Sequence, residues 1–350
     1  MGTILEPNFY GFWVGKQSGR GTPNTTPGQR LIQVGGDINA PRDDGNENWS
    51  DLRKYGARTW WVNSLLGNGD IAAEATPTEL AYLLWLFHGA ETVTAVTGPP
   101  TAQKHTFNPS LGRGHYFTAF ARVGQSLIRR HRYDDCLITK MVIEGSTANK
   151  AVRATPTIIS LDPGAIFTSD PTAALPTDKP FLYTDGSGAF TIDGTVFTGQ
   201  TTFNLTIDDA WSPVFGDDVT PFELVQGQPT VTFSCEVYFD STAAAEVNTL
   251  VYGTASPTAG TKPIKRIPAY GSYSFYLKQR DSAGALNGRE FKLTLPSVKW
   301  TAPDYPGPNP DGGATSVVLS GQMEPPDLTD TTKPYTIDVN TENSVVAFTT

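Results

Sequence analysis

The chain has 350 residues, room for two domains of ordinary size, and a formal net charge of −9. That acidity argues against a protein that grips nucleic acid, because such binding rests on Lys and Arg neutralising phosphates; it does not exclude one that nucleic acid passes without sticking. Gly 34 and Pro 27 fit a β-rich chain with many turns, short of the enrichment of a disordered one.

The two cysteines, Cys136 and Cys235, sit in strand-like runs and imply no disulfide framework, so synthesis in a reducing compartment fits. No basic segment followed by an apolar core marks a signal peptide at the N-terminus. No apolar run reaches the roughly 18 residues that span a bilayer.

Residues 1–30 mix aromatics (Phe9, Tyr10, Phe12, Trp13) with glycines and read as an arm that extends over a surface. A short strand at 31–34 precedes a polar, turn-rich stretch at 39–54, which reads as a long exposed loop. Strand character returns at 58–66 with Trp60 and Trp61. A helix is predicted over 76–89: Thr76 and Glu79 make a capping box, and Pro77 fits the first turn. Leu80, Leu83, Leu84 and Phe87 form one stripe, and Gly89 closes it. Trp85 and Leu86 widen its apolar surface, so cover on more than one side is expected.

Paired strands are predicted at 116–123 and 136–144, flanking the basic run Arg129, Arg130, His131 and Arg132, and another strand at 151–160. A junction rich in Pro, Thr, Ala and Asp covers 162–179. Beyond it, 189–198 and 200–207 read as a hairpin, and 230–239 alternates cleanly into a second helix at 240–253. Strands follow at 273–278, 290–295 and 316–323; two short strand-like pieces at 336–339 and 344–348 are candidates for pairing with a neighbouring chain.

The two helices lie 164 positions apart, with Ala81 over Ala245, Leu86 over Leu250 and Gly89 over Gly253. Amphipathic helices ending in glycine are common, so letter identity alone decides nothing; the shared order of strand, helix, hairpin and strand favours a duplication. The fold class is therefore α+β, mainly β, with two tandem units. Their expected bounds are 1–165 and 166–323, with a C-terminal extension at 324–350.

Catalytic chemistry finds no foothold. None of His88, His105, His115 and His131 stands at metal-ligand spacing. Acid pairs at 43–44, 134–135, 208–209 and 217–218 read as solvated turns or channel charge rather than a glycosidase pair. Gly67-Asn68-Gly69-Asp70 lacks the ending of a phosphate loop, and no nucleophile elbow occurs. The chain is expected to be no enzyme, with no cofactor and no metal.

With these elements in place the chain resembles the tail tube (major tail) proteins of long, non-contractile-tailed bacteriophages. The carriers are Gly15-Lys16-Gln17-Ser18-Gly19 with Gly21-Thr22-Pro23, then Thr76-Pro77-Thr78-Glu79-Leu80 leading into Leu83-Leu84-Trp85-Leu86-Phe87-His88-Gly89. His105-Thr106-Phe107, the 136–144 strand, and Leu293-Thr294-Leu295-Pro296-Ser297-Val298 with Trp300 complete them. Their order is the specific part, and the likeness covers roughly 10–323.

The resemblance implies β-sandwich or half-barrel units with a flanking helix, six units closing a ring, and rings stacking into a hollow tube in the virion. Two units per chain make the ring a trimer; one decorated unit makes it a hexamer. Implied partners are the chain itself, a tape measure protein in the lumen, tail terminator and distal tail proteins at the ends, and phage DNA in transit without specific binding. No membrane partner is implied, and synthesis would occur in the bacterial cytoplasm. Expected inter-subunit contacts are Phe9, Tyr10, Trp13, Asp43, Asp44, Arg129, Arg130 and Arg132, the arginines at a hairpin tip meeting acids of the next subunit. The competing reading is a β-sandwich carbohydrate-binding or host-recognition module, which an exposed Trp/Tyr cluster at a cleft would favour.

Overall fold

The computed structural model describes residues 10–38, 42–48, 58–97, 101–109, 114–123, 129–148, 150–183, 190–197, 199–216, 221–263, 270–280, 285–301, 303, 315–323, 335–342 and 347–348. The chain opens with β1 (Tyr10–Lys16), β2 (Gln29–Leu31) and β3 (Gln33–Gly36). A side hairpin of β4 (Arg42–Asn48) and β5 (Arg58–Leu65) comes next, and β6 (Gly67–Glu74) leads into α1 (Pro77–His88). Then come β7 (Thr92–Val96), β8 (Ala102–Phe107), β9 (Phe117–Val123), the long β10 (Arg129–Ser146) and β11 (Arg153–Ala165).

The second half begins with β12 (Phe190–Ile192), β13 (Thr195–Phe197) and β14 (Gln200–Asp208). A side hairpin of β15 (Trp211–Phe215) and β16 (Pro221–Gln226) precedes β17 (Thr230–Tyr238) and α2 (Ser241–Tyr252). The chain ends in β18 (Tyr270–Arg280), β19 (Leu286–Trp300), β20 (Ser316–Met323) and β21 (Thr336–Glu342).

Both helices are punctuated as their residues dictate. Thr76 caps α1 by accepting from Glu79 N–H, Asp240 caps α2 by accepting from Ala243 N–H, and Gly89 and Gly253 end them in the left-handed conformation. The separation of 164 positions holds for every residue of the two helices and for all four caps.

The strands repeat the same pairing order in each half. The first half reads β2-β1-β9-β10-β11-β6-β3, and the second β13-β12-β18-β19-β20-β17-β14. The correspondence reaches into detail. The β3–β6 ladder slips between Gln33 and Gly35, and β14–β17 slips between Gln200 and Thr202. Each half sends out its side hairpin at the same point, between β3 and β6 or between β14 and β17.

The halves join edge to edge through β10 and β14, with Lys140 opposite Asp208 and Ser146 opposite Thr202. One antiparallel inner sheet therefore runs β3-β6-β11-β10-β14-β17-β20. Among the described residues no circuit of pairings returns to its start, so the sheet is open. The main core spans both halves, holding Ile71, Met141 and Ile143 together with Phe203, Cys235 and Leu293.

Three expectations change. Residues 42–48, read as part of an exposed loop, form a strand, because the tryptophan-bearing β5 supplies its backbone with a ladder partner. Residues 200–208 do not pair with 190–197; β12 and β13 close on each other through the Asp193-Gly194 turn, which leaves β14 to bridge β17 and β10. Residues 336–342, a candidate for a neighbouring chain, lie within their own chain between β8 and β19. Alternation drives that insertion: Ile337, Val339 and Thr341 are all buried. His88 anchors the segment: a carbonyl can only accept, so Nδ1–H donates to Leu84 O (2.9 Å) and the Tyr335 hydroxyl donates to Nε2 (2.8 Å).

Candidate functional site

The inner sheet has one apolar and one polar face because its strands alternate. In β14, β17 and β20 the buried set (Phe203, Leu205, Ile207; Phe233, Cys235, Val237; Val317, Leu319) faces the core. The residues between them face the other way, and the registers align them in rows across the strands. One row runs Glu74, Arg153, Glu144, Asn204, Ser234, Ser320. Another runs Asp70, Thr157, Lys140, Asp208, Thr230, and within it Thr157 Oγ1 donates to Asp70 Oδ1 at 2.5 Å.

This face carries hydroxyls and amides with a negative balance, together with the exposed Val318 opposite Glu236 and, towards one end of β10 and β11, Leu137, Ile159 and Leu161 covered by Leu224. Asp70, Glu74, Glu144, Asp208 and Glu236 stand against Lys140 and Arg153. The surplus of carboxylates repels a polyanion. Sequence alternation marked each strand's two faces; the continuity of the face across the chain depends on the β10–β14 join, which no local pattern announces.

The residues expected at subunit contacts are scattered. Trp13 is buried, donating Nε1–H to Ala173 O at 3.2 Å, with the Arg30 guanidinium 5.0 Å from its ring, so it belongs to the fold and not to a free surface. Arg130 Nε donates to Asp170 Oδ1 at 2.8 Å, and Arg132 meets Asp134 at 2.8 Å. Both arginines thus meet acids of their own chain: Asp170 lies in the junction segment, and Asp134 follows Arg132 by two residues. Tyr10, Asp43, Asp44 and Arg129 enter strands β1, β4 and β10, with side chains outside the described residues; Phe9 lies outside them altogether.

Buried ionisable groups serve the core. Burial raises the Glu79 carboxyl to about 8, while its oxygens accept from Ile32 N–H (2.9 Å) and the Thr76 hydroxyl (3.1 Å), tying the start of α1 to the chain beside β2. Burial lifts both thiols, Cys136 and Cys235, well above their ordinary value, which keeps them unreactive. Among the described residues no cluster of His, Cys, Asp and Glu could hold a metal ion. No helix among them is long and apolar enough to cross a membrane.

No curated protein matches the chain. The family described as phage tail tube protein matches residues 65–272, from the end of β5 through both helices into β18. That stretch exceeds half of the chain and contains the inner-sheet strands β6, β10, β11, β14 and β17. The chain belongs to the phage tail tube protein family and is a structural component of the virion.

Proposed function

We propose that the chain consists of two tail-tube units, 1–165 and 166–323, and that three copies close a six-unit ring whose polar inner face lines the channel for genome ejection. The observation that carries this reading is the β10–β14 join. It links one half to its topological twin head to tail, β10 of the first to β14 of the second. By the same correspondence β3, which among the described residues has a ladder partner only in β6, is the counterpart of β14, and β19, which pairs with β18, β20 and β21, is the counterpart of β10.

A heterologous contact of this kind, repeated between chains, closes into a ring when its rotation permits. The sheet edges a lone molecule leaves open are then satisfied. In this reading the lumen holds the tape measure protein during assembly and later conducts DNA past an acidic, hydroxyl-rich wall without binding it. Terminator and distal tail proteins cap the ends.

Electron microscopy of the purified protein tests the proposal. Rings or hollow tubes of uniform bore, with three chains per ring by mass, are expected. A dispersed monomer at high concentration would sink it, and six chains per ring would overturn the two-unit division.

A further inference from the structure

Four exposed apolar residues lie close together in sequence on the β15–β16 ribbon. Phe222 is 71 % exposed, and Val214, Phe215 and Val225 are exposed beside it. The root of the ribbon is fixed. Leu224 is fully buried in a satellite cluster with Leu137, Ile159 and Leu161 of β10 and β11, and the Tyr116 hydroxyl reaches Glu223 Oε1 at 3.4 Å. The ribbon of the second half therefore clasps the first half across the β10–β14 join, where Arg20 also reaches Pro221 O, and leaves Phe215 and Phe222 exposed.

A second apolar patch lies at the other end of the same strands. The ribbon leaves after Asp208 and returns at Thr230, which are paired with each other. At the opposite end Gln200 pairs with Val237, and the next residue, Tyr238, is 49 % exposed, its N–H bonded to Gly199 O at 2.9 Å. Val196, three residues before Gly199, is 55 % exposed. Nine residues of strand put the two patches on the order of 30 Å apart, so a rigid sheet cannot bring them together within one molecule. Two copies displaced along the strand direction can.

We propose that the ring-to-ring contact of the tube is the Phe215/Phe222 ribbon of one copy seated on the Val196/Tyr238 end of a second copy. The proposal rests on the reading that the inner face lines the channel, because only then does the strand direction carry a component along the tube. Exposed apolar groups gathered on one short ribbon of an acidic chain mark a candidate interaction surface. A contact between opposite ends of one molecule is heterologous and non-closing, so it propagates as a stack.

The test uses the full-length chain with Phe215→Ser and Phe222→Ser together, imaged beside wild type. Both side chains are solvent-exposed, so the far-UV spectrum should be unchanged. Rings should persist while mean tube length falls at least tenfold. Tubes of wild-type length, or loss of rings along with tubes, would overturn the proposal. A second variant, Phe222→Cys with Tyr238→Cys, should give a ladder of covalent multimers on oxidation of whatever stacks it forms, where either single variant stops at the dimer; no ladder from intact tubes would overturn the contact. Wild-type protein forming neither rings nor tubes would instead sink the tube reading itself.

Discussion

The two helices occupy equivalent places in the repeated topology, yet they live in different surroundings. In α1 eleven of twelve residues are buried; in α2 only Ala243, Glu246, Val247 and Leu250 are. The caps are alike and the lengths equal, so the difference comes from what was added around each. The β7–β8 hairpin follows α1, and β21 returns from the chain end to pair with β8 and place Tyr335 against His88. No strand is present at 253–263 after α2. The wide apolar surface of α1, with Tyr82, Trp85 and Leu86, matches a helix covered on more than one side; the sparser stripe of α2 matches one covered on a single side. A repeated backbone plan does not impose a repeated energetic role.

The sharpest way to break this comparison is to end the chain after residue 334. That strips Tyr335, Ile337 and Val339, all buried, each worth about 1.5–3 kcal/mol of burial. Stability should fall by more than about 4 kcal/mol in urea, and hydrogen exchange should show the amides of α1 losing protection well before those of α2. Equal loss in both helices would mean that β21 serves the whole core and not the first half.

Next in size is a matched pair of truncations. Leu84 is fully buried in α1, and its counterpart 164 positions on is Asn248, half-buried in α2. Leu84→Ala should cost about 2–5 kcal/mol, and Asn248→Ala should stay within about 0.5 kcal/mol. Urea midpoints of the two variants check both, and comparable losses would remove the asymmetry.

Glu79 sharpens the comparison through pH. Burial raises its folded value to about 8 from an ordinary 4.5, so the folded state holds a proton that the unfolded chain releases. Its favourable contribution is complete below pH 4.5 and is lost as pH rises towards 8. Glu79→Gln should flatten that decline, by about 1.4 kcal/mol for each unit by which the folded and unfolded values differ. An unchanged slope of stability against pH between 4.5 and 8 would show that Glu79 is not the group responsible.

The smallest effect belongs to the basic run. Arg130 and Asp170 are part-exposed, so Arg130→Ala should cost about 0–1 kcal/mol, measured by thermal unfolding. A cost of several kcal/mol would mean that this ion pair, and not the strands, pins the junction segment to the first half.

Much of the fold is legible in the sequence alone. Helix α1 was readable from Thr76, Pro77, Glu79 and Gly89 because caps act within one turn of backbone. The strand at 230–238 was readable because Val231, Phe233, Cys235 and Val237 alternate, and the 164-residue spacing was visible from Gly89 and Gly253. The absence of a legible catalytic motif likewise came from residue types and spacing. What stayed hidden was pairing at a distance. Trp13 resembled an arm residue until β1 was seen to pair with β9, and Arg130 resembled a free tip until the junction segment brought Asp170 beside it.

The sequence by itself determined both helices with their ends and the apolar face of most strands, since these depend on neighbours within a few residues; β1, read as an arm, and β4, read as a loop, took their strand form from partners outside that reach. Only the tertiary structure decided that β10 meets β14, that β21 enters between β8 and β19, and that acids from four strands share one surface. Those choices join residues tens to hundreds of positions apart. An unpaired strand edge offers the same N–H and C=O groups to any partner, so alternation specifies the face a strand presents but not the strand it sits beside.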